Sequence, residues 1–197
     1  MNKDWIGNRM SIYATQGASN HSELERVQHD YYATDPIAID WLLSVEDLQG
    51  VIWECACGEG HLSKRLEEHG KTVMSTDLID RGYGYGGLDF LKVKDRDFVD
   101  NIVTNPPYKY ALEFCEKALD VVREGGVICM FLKLTFLEGQ KRRKFFDSYP
   151  PKTVYVFSKR INCARNGDFS VKQSAVCYAW FVWVKGWKGE TVVKWIG

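Results

Sequence analysis

VIWECACGEGHLSKRLEEHGKTVMSTDL, residues 51–78, is the stretch that decides how this chain folds. VIWECA is a short apolar run that ends in Gly58-Glu59-Gly60. HLSKRLEEHG then has helical spacing and closes on Gly70, and TVMSTDL is a second apolar run. A strand, a helix and another strand, with strands too continuously apolar to face water, predict parallel strands covered on both sides. The pattern repeats downstream. After the glycine-rich loop RGYGYGG, residues 81–87, LDFL at 88–91 reads as a short third strand and 100–104 as a further buried strand. Residues 110–123 read as a helix stopped by Gly125-Gly126, and 127–136 as the strand after it. The chain is therefore expected to form a doubly wound, mostly parallel α/β sheet.

The two ends of this unit read differently. Upstream, Asp35-Pro36 before IAIDWLL supplies an N-cap and a first-turn proline for a short helix. Downstream, after the basic segment GQKRRKFFDSY, the runs TVYVFS (153–158) and SAVCYAWFVWV (174–184) have no helix between them. They are expected to form an antiparallel hairpin at the sheet edge, enclosing a polar loop at 159–173. Residues 1–28 lack any periodicity and read as a polar arm, leaving 29–197 as one domain. With 197 residues, 45% of them hydrophobic and 26% charged, the sequence supports one ordinary core. The apolar runs at 127–132 and 175–184 fall well short of the roughly 20 residues that span a bilayer. The first residues carry no apolar secretion signal, so a cytoplasmic location is expected. The six cysteines fit that compartment: they lie mostly inside apolar runs, without disulfide or zinc-ribbon spacing. No metal site is expected, since four scattered histidines give Cys55-x-Cys57 no second half.

A net charge of zero argues against nonspecific coating of nucleic acid, yet the charge is uneven. Between residues 138 and 173 nine lysines and arginines face three acids. Arg142, Arg143, Lys144 and Arg160 are the candidate contacts to a polyanion.

In open α/β sheets ligands bind beyond the carboxyl ends of the strands. Glu54 to Gly60 lies at the first such end, where glycines bring backbone close to a ligand. Asp77 lies at the second, placed to accept both hydroxyls of a ribose. Asp89 and Phe90 follow, an acid and a ring that could clasp an adenine by its amine and its face. At the end of the 100–104 strand stands Asn105-Pro106-Pro107-Tyr108. Its prolines remove two backbone donors and stiffen the turn, presenting carbonyl oxygens beside an amide and an aromatic ring. An aromatic amine is a poor nucleophile because its lone pair is delocalised. The Asn105 side-chain oxygen and the Pro106 carbonyl could each accept one amine hydrogen and aim that lone pair, while Tyr108 stacks on the base.

With these residues the chain resembles the class I S-adenosylmethionine-dependent methyltransferases, and among them the small phage and prophage enzymes that methylate adenine N6 through an Asn-Pro-Pro-Tyr motif. The resemblance runs from about residue 28 to 187. It implies a seven-stranded Rossmann-like sheet, S-adenosylmethionine as cofactor and DNA as partner. It implies that Glu54, Gly58 and Gly60 form the turn at the methionine end, that Asp77 holds the ribose, and that Asp89 with Phe90 holds the cofactor adenine. Tyr32-Ala33-Thr34-Asp35-Pro36 is similar to the family's N-terminal cofactor-contacting segment. Phe169 matches the loop aromatic that stacks on the extruded base. The family usually adds a target-recognition domain; this sequence has no room for one, which leaves that work to the basic segment and the 159–173 loop. An RNA adenine and a noncatalytic cofactor-binding subunit are the alternative readings. Cytosine N4 enzymes typically carry Ser where this chain has Asn105, and the glutamine methyltransferases that share the motif have an N-terminal helical bundle.

Overall fold

The computed structural model describes residues 32–165 and 176–197. Nine strands and four helices organise them: β1 (Tyr32–Thr34), α1 (Ile37–Leu43), β2 (Val51–Glu54), α2 (His61–Glu68), β3 (Thr72–Ser75), β4 (Val99–Thr104), α3 (Ala111–Val121), β5 (Val122–Lys133), α4 (Gln140–Ser148), β6 (Thr153–Phe157), β7 (Cys163–Arg165), β8 (Tyr178–Val184) and β9 (Val192–Ile196).

Seven strands form one sheet in the order β3-β2-β4-β5-β8-β6-β9. The first four are parallel, β8 runs antiparallel to both β5 and β6, and β9 is parallel to β6. This is a mostly parallel, Rossmann-like sheet. Strand alternation divides the core. Ile128 and Met130 of β5 point to the layer that holds Trp53, Phe114 of α3 and Phe145 of α4. Cys129 and Phe131 point to the opposite layer, with Ile39 and Leu42 of α1 and Leu62 and Leu66 of α2. Each large apolar side chain so buried contributes roughly 1.5–3 kcal/mol. The polar edges of buried tryptophans are satisfied: Trp180 Nε1 donates to the Ala38 carbonyl at 2.9 Å and Trp53 Nε1 to Thr76 Oγ1 at 2.9 Å.

Three sequence expectations are corrected. LDFL is not a strand: Phe90–Lys92 forms a single 3-10 turn capped by Asp89, whose Oδ1 accepts from the Leu91 N–H at 3.1 Å. The seventh strand is instead β9. The expected hairpin pairing of β6 with β8 is present, but β8 lies inside the sheet and β9, not the hairpin, forms the edge. Finally, the 159–173 loop contains β7, which pairs antiparallel with β1 as a separate two-stranded ribbon, Thr34 opposite Cys163. Among the described residues no helix is long and apolar enough to cross a membrane.

Candidate active site

The carboxyl ends of β2, β3 and β4 lie side by side, and the polar groups there fall into two clusters. In the first, the turn after β2 is fastened to the start of the loop after β3. Thr76 N–H donates to the Glu54 carbonyl at 2.9 Å, Cys57 N–H to the Thr76 carbonyl at 3.0 Å, and Gly58 N–H to Asp77 Oδ2 at 2.8 Å. The other Asp77 oxygen accepts from the Ile79 N–H at 2.8 Å and lies 3.7 Å from Arg81 Nη1. Asp77 staples the turn after β2 to the loop after β3. A carboxylate has about four acceptor positions, and the two backbone N–H groups occupy two of them.

Glu54 works from below. It is 2% exposed, accepts from the Ser63 hydroxyl of α2, and has its pKa pushed up to about 8, chiefly by burial. It lies beneath the turn, against α2. Gly60 has φ +81°, and a Cβ there would collide with the Tyr83 ring. That ring, from the RGYGYGG loop, donates its hydroxyl to Glu67 at 3.1 Å and lies under Lys64 Nζ. The close approach that requires Gly60 is therefore made by Tyr83, a residue the sequence reading missed. Phe90 is also reassigned. It is 2% exposed, edge-on to Trp53 at 5.1 Å and 5.0 Å from Phe114, so its face is spent in the core and is not offered to an adenine. Asp89 is partly exposed and paired with Lys92 at 3.0 Å.

The second cluster surrounds Asn105-Pro106-Pro107-Tyr108. Asn105 Nδ2 donates to the Tyr32 carbonyl at 3.0 Å and to Thr34 Oγ1 at 2.9 Å. A carbonyl can only accept, so the amide orientation is fixed: nitrogen toward β1, oxygen away. That oxygen, Asn105 Oδ1, is buried and has no hydrogen-bond partner among the described residues. Nor does any N–H among them donate to the Pro106 carbonyl. Tyr32 and Thr34, expected at the cofactor, thus hold Asn105. Tyr108 is half-buried, its ring 5.9 Å from those of Tyr32 and Tyr178 and beneath Lys133 Nζ at 4.6 Å. Its hydroxyl lies 3.7 Å from Cys163 Sγ, and burial holds its pKa well above the ordinary tyrosine value.

The basic candidates separate. Arg142 is engaged, donating from Nε to the Glu138 carbonyl at 2.5 Å and from Nη2 to the Thr135 carbonyl at 3.2 Å, with its guanidinium 5.1 Å from the Phe136 ring centre. It braces the turn before α4. Arg143, paired with Asp147 at 2.9 Å, and Lys144 and Arg160 are exposed. Phe169 lies outside the described residues. A groove of about 730 Å³ runs between α3 and the residues that follow α4 and end β8, at the end of the sheet where β5 begins. Glu113, Lys117, Asp120, Tyr149, Trp183 and Trp187 line it.

No protein-family model matches the sequence, and no curated protein matches it. Solved structures do resemble the fold. A proposed class I S-adenosylmethionine-dependent methyltransferase of Listeria monocytogenes superposes with a TM-score of 0.58 at 14% identity, over 94% of this chain and 71% of that one. The modification subunit of a proposed type I restriction enzyme from Vibrio vulnificus gives 0.54 at 13% identity, over 92% of this chain and 49% of its own. The 1,6-didemethyltoxoflavin-N1-methyltransferase of Burkholderia thailandensis, solved with its substrate and S-adenosylhomocysteine, gives 0.52 at 10% identity, over 77% of this chain and 76% of that one.

Proposed function

We propose that this protein binds S-adenosylmethionine and methylates N6 of adenine in DNA. The observation that carries the reading is Asn105 Oδ1, an acceptor locked in orientation by its own amide nitrogen, buried, and left without a partner among the described residues. An unsatisfied buried acceptor costs about 1–3 kcal/mol, and such a cost at a strand's carboxyl end is most simply met by a substrate donor. The matching donor is an N–H. With the neighbouring Pro106 carbonyl, Asn105 Oδ1 can take both hydrogens of an exocyclic amine and turn its lone pair outward. The half-buried Tyr108 ring supplies a face for a base drawn from its stack.

The first cluster is the candidate cofactor site, with the Asp77 carboxylate at the end of β3 as the acceptor for ribose hydroxyls. When bound, the cofactor supplies an electrophilic methyl group. The chain's own contribution is alignment and fixed dipoles. The Vibrio vulnificus neighbour, being a modification subunit, favours DNA among amine-bearing substrates; the Burkholderia thailandensis neighbour shows that the same fold serves a small molecule.

The test is to incubate the protein with labelled cofactor and, separately, duplex DNA, single-stranded DNA and RNA, then digest and identify the methylated nucleoside by mass. N6-methyladenosine from the RNA arm alone would move the substrate to RNA. Cofactor binding without transfer to any arm would leave a cofactor-binding subunit.

A further inference from the structure

We propose that Thr34 and Cys163, facing each other across the β1–β7 ribbon, are positioning residues that hold Asn105 and Tyr108 in one geometry. The inference rests on the reading of Asn105 as the acceptor of the reacting amine. Thr34 is 2% exposed, and its Oγ1 accepts from Asn105 Nδ2 at 2.9 Å. That leaves its hydroxyl hydrogen free to turn elsewhere, and the residue directly opposite it in the ribbon is Cys163. The Tyr108 hydroxyl lies 3.7 Å from the Cys163 thiol, whose pKa burial pushes up to about 11. A path therefore runs from the Asn105 amide to Thr34, across the ribbon to its partner Cys163, and on to the Tyr108 hydroxyl. It links the first and last residues of the Asn-Pro-Pro-Tyr turn through a part of the chain far from either in sequence.

The arrangement has a chemical purpose. Asn105 has two amide orientations of similar shape, and only one presents oxygen to a substrate amine. In the other, Oδ1 would face the Tyr32 carbonyl, acceptor against acceptor. The Tyr32 carbonyl, which can only accept, selects the productive orientation, and the Thr34 hydroxyl adds a second, side-chain bond that holds the amide in it. Cys163 in turn anchors the ring on which the base would stack. Neither residue touches the reacting atoms; each acts through one that does.

Thr34→Val keeps the shape and removes the hydroxyl, and Thr34→Ser restores it. In single-turnover transfer to a defined adenine oligonucleotide, Thr34→Val should lower the rate about tenfold while the affinities for cofactor and DNA stay unchanged, the signature of an interaction realised only in the transition state. Thr34→Ser should return most of the rate. Cys163→Ala should lower the rate severalfold, and the double variant should lose less than the product of the two single losses, because both act in one network. A second measurement is independent of turnover. In protein labelled with ¹⁵N at asparagine, the Asn105 side-chain protons, identified by their loss in Asn105→Asp, should exchange with water at least severalfold faster in Thr34→Val and recover in Thr34→Ser. Unchanged exchange in Thr34→Val, or equal rate losses in Val and Ser, would overturn the positioning role. Faster exchange in a protein that never methylates adenine would keep that role and sink the substrate assignment.

Discussion

The two polar clusters at the carboxyl ends of the strands are built on opposite terms. Around Asp77 the carboxylate is committed to the backbone N–H groups of Gly58 and Ile79, and Glu54 below is closed off by Ser63. Around Asn105 the donors are committed and the acceptor is not. The first cluster is therefore part of the fold and shapes a surface for a ligand, whereas the second keeps a polar group in reserve for one. Substitutions in the first should appear in stability, and substitutions in the second in rate.

The contrast is greatest at Asn105. Asn105→Ala should reduce methyl transfer by at least about 100-fold, as loss of a preorganised polar partner does, with cofactor affinity near its original value. Single-turnover transfer beside calorimetry checks this, and a variant that merely loses cofactor would put Asn105 with Asp77. Next in size is Glu54. Its carboxyl is protonated in the fold up to about pH 8 but ionises near its ordinary value when unfolded. Between those limits the folded state binds the extra proton, so stability should fall as pH rises from about 5 to 8, by an amount on the order of a few kcal/mol. Glu54→Gln should flatten that profile in denaturant titrations, and a wild-type protein equally stable at both ends would contradict it.

Asp77→Ala comes third. It strands two backbone donors, so it should cost about 1–3 kcal/mol in unfolding free energy and also weaken the cofactor. A protein that loses cofactor at full stability would erase the contrast, because Asp77 would then serve the ligand alone. The smallest effect is expected at the surface: Arg143→Glu with Lys144→Glu should lower the slope of DNA affinity against salt by about one for each phosphate left unneutralised. Cofactor binding should stay put. Arg142 is left out of that pair because it braces the turn before α4.

What the sequence revealed depended on how local each signal was. The unit from β2 to β3 was legible because its strand, glycine turn, helix and closing glycine are contiguous. Asn105 stood out because two prolines mark its turn. LDFL misled because four residues with one acid fit a strand or a capped turn equally, and Asp89 bonding to Leu91 N–H decides for the turn. β9 was missed because its residues from Val192 to Trp195 are all exposed, with no alternation between faces. The link from Thr34 to Asn105 spans 71 positions, and no periodicity or spacing reports a contact of that kind.

The ribbon of β1 and β7 has a consequence for how the chain is made. β1 is synthesised early and its partner more than a hundred residues later, so a pairing this distant in sequence closes late and slowly. During elongation at about 5–20 residues per second, Asn105 emerges several seconds before Cys163 exists. The nascent chain can wind β2 through β4 with both partners of the Asn105 amide already present in β1, while the Tyr108 ring gains its contact with Cys163 only after the ribosome has passed residue 163.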